Sequence, residues 1–293
     1  MKKLLLLFMA TALVVSCDKD DDTNEPQTKN LTMGIEGLED LGADYVYEGW
    51  IIVNGAPVST GVFTVDGNGN PSKTSFSVDA ETLDQATAYV LSIEPAVDND
   101  PAPATTKLLS GAFAAETATV SITDLVGDFT SASGEFFLRT PTDEDDGMNN
   151  GNDQYGIWFG IPGAPPATGL ELPILPDGWV YEGWVVGEDG PITTGTFMDP
   201  TAQAEDSGNP FSGANPGPPI PGEDFFNNAP TGFTFPLDVR GKTVVISVEP
   251  SPDNSPAPFL LKPLVGTSGQ ETAPTTHSLS LNSDSFPTGW VKR

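Results

Sequence analysis

Apolar and polar residues alternate along this chain in short runs, separated by clusters of Gly, Pro, Asn and Asp. A period of two with turn residues between runs predicts strands. Such runs fall at 31–37, 45–53, 58–65, 75–78, 87–94, 107–113 and 118–122, and again at 134–139 and 155–159. Asn54-Gly55-Ala56-Pro57 and Asp66-Gly67-Asn68-Gly69-Asn70-Pro71 supply the turn chemistry between neighbours. Glu81 to Ala88 can form a turn or two of helix, and no other stretch has a helical period. The expectation is an all-β chain built as two tandem antiparallel β-sandwich domains.

The strongest pattern is a repeat. Tyr47-Glu48-Gly49-Trp50 recurs as Tyr181-Glu182-Gly183-Trp184. At the same offset, Thr60, Gly61 and Phe63 fall on Thr194, Gly195 and Phe197. At a second, longer offset, Ser92, Glu94 and Pro95 fall on Ser247, Glu249 and Pro250, and Pro101-Ala102-Pro103 falls on Pro256-Ala257-Pro258. Lys107, Leu109 and Gly111 then match Lys262, Leu264 and Gly266. Ordered anchors of this kind predict an internal duplication. The change of offset predicts an insertion in the second copy at about 199–230, a segment rich in Gly, Pro, Asn and Asp. Residues 31–128 are therefore read as domain 1 and 129–293 as domain 2, with Tyr47, Glu48, Trp50 and Phe63, and Tyr181, Glu182, Trp184 and Phe197, as the core of the repeat.

The first residues alter the picture of where such a chain resides. Met1-Lys2-Lys3 is basic, and an apolar run from Leu4 to Val15 leads into Ser16-Cys17. This pattern predicts a bacterial lipoprotein signal peptide over 1–16, with Cys17 acylated. Cys17 is the only cysteine, so no intrachain disulfide is available. The acidic segment after it, within 17–30, reads as a flexible linker. The expected location is the outer membrane, facing the cell surface or otherwise the periplasm. A net charge of −29 over 293 residues opposes phosphate backbones and excludes nucleic acid as the expected partner.

The shared order is a Tyr-x-x-Trp strand, a Pro-x-Ser/Thr-x-Gly-x-Phe strand, then Glu-Pro before a Pro-rich loop. It is carried by Tyr47, Trp50, Pro57, Gly61, Phe63, Glu94 and Pro95, and again by Tyr181, Trp184, Pro191, Gly195, Phe197, Glu249 and Pro250. It resembles the extracytoplasmic domain of the anti-sigma-K factor (RskA) family, over 31–122 and about 155–281. Family members that regulate sigma factors also carry a zinc-associated helical domain and a membrane helix. This sequence contains no His-x-x-x-Cys-x-x-Cys and no second apolar span. The resemblance implies an outer module used for interaction, related to signalling, and does not imply direct sigma-factor binding.

Candidate chemistry is sparse. His277 is the only histidine, and there is no Gly-x-Ser-x-Gly elbow, so neither a zinc cluster nor a serine triad is expected. No enzymatic activity and no cofactor are expected. Glu48 and Glu182 read as structural acceptors rather than ligand-orienting acids. Asp143, Asp145, Asp146, Asn152 and Asp153 offer oxygens for Ca²⁺, but Gly147 is misplaced for an EF-hand, so a solvated acidic loop is the competing reading. Phe211, Phe225 and Phe226 lie in the insertion, either as exposed binding anchors or folded back onto the domain. The expected role is binding of a protein or envelope component. One rival is a carbohydrate-binding lipoprotein that stacks sugars on Trp50, Trp184 or Trp158. The other is a carboxylate-based hydrolase, which needs two acids in one concave site.

Overall fold

In a computed structural model of the chain, the described residues are 27–144, 148–201, 208–252 and 255–293. Cys17, Asp145 and Asp146 lie outside them. The first half contains β1 (Thr28–Glu36), β2 (Tyr45–Val53), β3 (Ala56–Phe63), β4 (Ser75–Asp79), the short helix α1 (Ala80–Asp84), β5 (Ala88–Pro95), β6 (Lys107–Ala114) and β7 (Thr117–Val120). β8 (Ser133–Phe137), β9 (Gly156–Trp158) and the short β10 (Gly160–Ile161), β11 (Ala167–Thr168) and β12 (Leu170–Glu171) follow. The second half continues with β13 (Trp179–Gly187), β14 (Gly190–Phe197), β15 (Gly222–Asp224), β16 (Thr243–Pro250), β17 (Leu264–Thr267), β18 (Thr276–Leu281) and β19 (Thr288–Lys292). The all-β expectation holds, and α1 lies inside the stretch read as a possible helical turn. β1 begins at Thr28, within the segment read as linker, because Thr28, Lys29 and Asn30 pair with Asp79, Val78 and Ser77.

The strands form two large antiparallel sheets. The first runs β3-β2-β5-β6-β7-β19-β1-β4, and the second runs β14-β13-β16-β17-β18-β8-β9-β15, with β12 pairing β8. The two orders correspond position by position: each Tyr-Glu-Gly-Trp strand lies second, between its hairpin partner and the strand that ends in Glu-Pro. β19 joins the first sheet although it follows β18 in sequence, so a cut between 128 and 129 would not separate the sheets.

Alternation along β2 sends Tyr47 and Ile51 into the core and Glu48 and Trp50 to the opposite face. β13 does the same with Tyr181 and Val185 against Glu182 and Trp184. Tyr47 stacks on Phe63 at 5.5 Å, and Tyr181 on Phe197 at 5.4 Å. The Thr-Gly pair of the repeat marks a β-bulge at the same place in each hairpin, where Gly61 (φ 118°) and Gly195 (φ 98°) take backbone angles that disfavour a side chain. One hydrophobic core runs through both halves, from Leu31 to Val291.

Candidate functional site

Trp50 and Trp184 stand on the outer face of their sheets, yet they are only 3% and 2% exposed. The covering is the Pro-rich loop, and the link is a chain of hydrogen bonds. Trp50 Nε1 donates to Ser92 Oγ at 2.8 Å, Ser92 donates to Glu94 Oε1, and the backbone N–H of Ala104 donates to the same oxygen at 2.9 Å. Val46, Glu48, Asp98, Asp100 and Pro101 line the resulting concavity together with Trp50. In the second half, Trp184 Nε1 donates to Ser247 Oγ at 2.8 Å and Ser247 donates to Glu249 Oε1. Phe259 N donates to that carboxylate at 2.9 and 3.2 Å. The repeated Ser-x-Glu-Pro is thus a loop anchor: a buried carboxylate holds the loop that buries the indole. Burial raises the Glu94 pKa, while the Ser92 hydroxyl and the Ala104 N–H oppose the rise.

Glu48 and Glu182 accept hydrogen bonds from Ser59 and Thr193, the residues before each bulge, and so act as structural acceptors. The glycines between acid and tryptophan permit close approach. A Cβ on Gly49 would lie 2.5 Å from the Tyr89 hydroxyl, and one on Gly183 would lie 2.7 Å from the Phe159 ring. With Trp158 0% exposed beside the buried Trp50 and Trp184, no sugar can stack on these three rings. That overturns the platform on which the carbohydrate reading rested.

Between the halves lies a cavity of about 560 Å³. The β1–β2 connection contributes Glu39, Asp40 and Leu41, β2 contributes Tyr45, and Ala104 to Thr106 come from the end of the first Pro-rich loop. Glu249, Pro250, Pro252 and Phe259 face them from the second half. A largely apolar concavity with a few polar groups is the usual form of a binding site. Burial pushes the Glu39 carboxyl up to about 7, against the pull of Lys262 and a hydrogen bond from the Leu260 backbone. Burial in turn lowers the Lys262 pKa, while Glu39 and Glu249 raise it. No pattern along the chain signals this cavity, since its residues are drawn from segments far apart in sequence.

The insertion behaves differently from the exposed-anchor reading. Phe225 is buried, Phe211 is nearly so, and with Phe235 they form an aromatic cluster with centroids 5.5 to 6.1 Å apart. Phe226 is half-buried and meets Tyr155 edge-on at 6.2 Å. Of the two readings, the structure has the folded-back one.

Two acids that the sequence reading overlooked fix this insertion. Glu223, on β15, takes hydrogen bonds from Ser212 Oγ and from Phe211 N at 3.4 Å. Asp224 receives Thr142 N at 2.9 Å, the Thr142 hydroxyl at 2.5 Å and Trp158 Nε1 at 2.9 Å. Burial pushes both carboxyls up to about 7. An adjacent Glu-Asp in a Gly- and Pro-rich segment was the only available signal.

Several oxygens of the acidic loop are engaged by neighbours within it or just before it. Asn152 Nδ2 donates to Asp143 Oδ2 at 2.6 Å, Asn149 Nδ2 to Asp153 Oδ2 at 2.6 Å, and the Thr140 hydroxyl to Asn152 Oδ1 at 2.8 Å. Among the described residues no group of three His, Cys, Asp or Glu is placed to hold a metal ion. His277 packs on Phe136 and its Nε2 is 2.9 Å from the Glu271 carbonyl, with no nucleophile in that arrangement.

Residues 21–108 match the family model described as "Anti-sigma-K factor rskA, C-terminal". Over that stretch the chain resembles the family. The matched stretch takes in β1 to β5 and the start of β6, including Trp50, Ser92, Glu94 and Ala104. The match links that stretch to a family of anti-sigma factors. No curated protein and no solved structure matches the chain.

Proposed function

We propose that this chain is a lipid-anchored protein of the bacterial cell envelope, carrying two tandem RskA-like modules that bind a protein or envelope component without catalysis. The observation that carries this reading is the family match over residues 21–108, since that family is regulatory. The second module rests on the corresponding strand orders and the repeated Trp–Ser–Glu loop anchor. Lipid attachment rests on Leu13-Val14-Val15-Ser16-Cys17, and surface or periplasmic exposure on the acidic segment after it. The cavity between the halves is where we place recognition, because the repeated loop anchors hold both of its walls. The reading requires no cofactor. A hydrolase reading has less support: Glu249, the second-half acid of the cavity, is occupied by Ser247 and Phe259.

Labelling cells with a radioactive fatty acid tests the anchor, with loss of label expected for Cys17→Ser. Recognition is tested in the same cells by a photo-crosslinking residue at Tyr45, which lines the cavity, and at Val58, which is exposed and remote from its lining. An envelope adduct at 45 but not at 58 is expected. Equal adducts at both positions, or none, would remove the cavity from the reading.

A further inference from the structure

The matching strand orders hide an exchange. By chain order β8 follows β7, and β19 follows β18. In space, β8 lies between β18 and β9, whereas β19 lies between β7 and β1. The sixth place in each sheet is filled by the strand that follows the other sheet's fifth. The segments that carry the two strands across meet at Phe129 and Phe286, whose rings are 5.5 Å apart. Two covalently joined halves with reciprocal strand exchange have the topology of a strand-swapped dimer.

The place occupied by β19 is shaped for its ligand. Gly34, opposite Trp290 in the register, leaves room for the indole, since a Cβ there would come within 2.7 Å of the Trp290 ring. Val291 enters the core between Met33 and Ala118. Arg293 closes the strand: Nη1 donates to the carbonyls of Leu83 (3.3 Å), Asp84 (3.2 Å) and Ala86, and Nη2 donates to Ala115 O at 3.1 Å. Its guanidinium also lies 4.7 Å over the Phe113 ring. The carbonyls at the C-terminal end of α1, with those of Ala86 and Ala115, thus form a cup for an arginine.

The two exchanged strands differ in what holds them. β8 buries Phe136 and Phe137, with Leu138 just beyond it, whereas Val291 is the sole buried residue of β19. β19 is held mainly by its two backbone ladders and by Arg293, contacts that the same strand from another copy would make equally.

We propose that the slot between β7 and β1 is a strand-acceptor site for a β-strand of the pattern Trp-Val-Lys-Arg, and that a second copy of this chain supplies that strand in trans. Each copy carries both slot and strand, so exchange between copies keeps every contact described above. The proposal does not depend on the family reading.

The test uses the chain with Cys17→Ser and a form of it ending at Asn282, which vacates the slot. A synthetic peptide spanning 283–293 is titrated onto the shortened chain by calorimetry. Saturable binding with a higher melting temperature is expected, and a peptide with Arg293→Ala should bind about tenfold more weakly. Refolding the longer chain at rising concentration should give a dimer by light scattering, since each copy then fills the other's slot. A folded shortened chain that does not bind the peptide overturns the proposal. If the shortened chain does not fold alone, the peptide must restore its circular dichroism, and failure to do so overturns the proposal as well. Peptide binding by the shortened chain with only monomer from the longer one would overturn the assignment of a second copy as donor.

Discussion

The two halves hold their tryptophans by the same device and fill the rest of their sheets by different means. In the first half, β4 leads straight into α1, capped by Asp79 through Thr82 N at 2.9 Å. In the second half, the route from β14 to β16 passes through the insertion, closed by the buried Glu223–Asp224 pair. The network from indole to serine to glutamate to loop is the same in both. The invariant part is therefore the one in which a single error strands several buried polar groups. The connections, which need only close on themselves, are free to vary.

Tryptophan removal tests the comparison most severely. Trp50→Ala and Trp184→Ala should each cost about 3–5 kcal/mol in denaturant unfolding. Matching losses support equivalent anchors, and an unchanged midpoint for Trp50→Ala would break the equivalence. Ser92→Ala and Ser247→Ala come next, at about 1–3 kcal/mol each, because each leaves an indole N–H and a buried carboxylate without their shared partner. The Pro-rich loop should also exchange its amide protons faster in these variants, at Ala104 or Phe259.

The acid pair gives the halves different pH behaviour. Glu223 and Asp224 have folded pKa values raised to about 7, above those of the unfolded chain. Their contribution is complete below the unfolded values and is lost as pH rises through the folded ones, so the melting temperature should fall between about pH 4 and about pH 7. Glu39, raised to about 7 at the cavity, acts in the same direction. Carboxyl-carbon NMR should show midpoints near 7 for all three, and ordinary midpoints would refute the burial argument. The smallest effect concerns the loop at 142–153: calcium should leave the melting temperature unchanged, because amides and a hydroxyl already engage Asp143 Oδ2, Asn152 Oδ1 and Asp153 Oδ2.

Much of the fold is legible in the sequence because it is local. Alternation marks nearly every long strand of the first half, and the repeat points to equivalent places for Trp50 and Trp184, Gly61 and Gly195, and Glu94 and Glu249. What the alternation of β2 leaves open is which face is core. Tyr47 and Trp50 are both large and apolar, and both prove to be buried, one by the opposite face of the core and the other by a loop. The insertion aromatics were equally ambiguous. A phenylalanine between Gly and Pro has no periodicity to orient it, and only the acids on β15 fix where Phe211 and Phe225 go.

By itself the sequence determined the strands, their turns, the bulge glycines and the existence of a repeat, because each depends on residues within one hairpin or on matching offsets. The tertiary structure alone decided the cavity between the halves, the buried acid pair and the exchange of β8 and β19. Those strands show the same short alternation whichever sheet receives them. Their partners are chosen by backbone hydrogen bonds that carry no sequence label, by the room at Gly34, and by a cup of carbonyls for Arg293 assembled from distant parts of the chain.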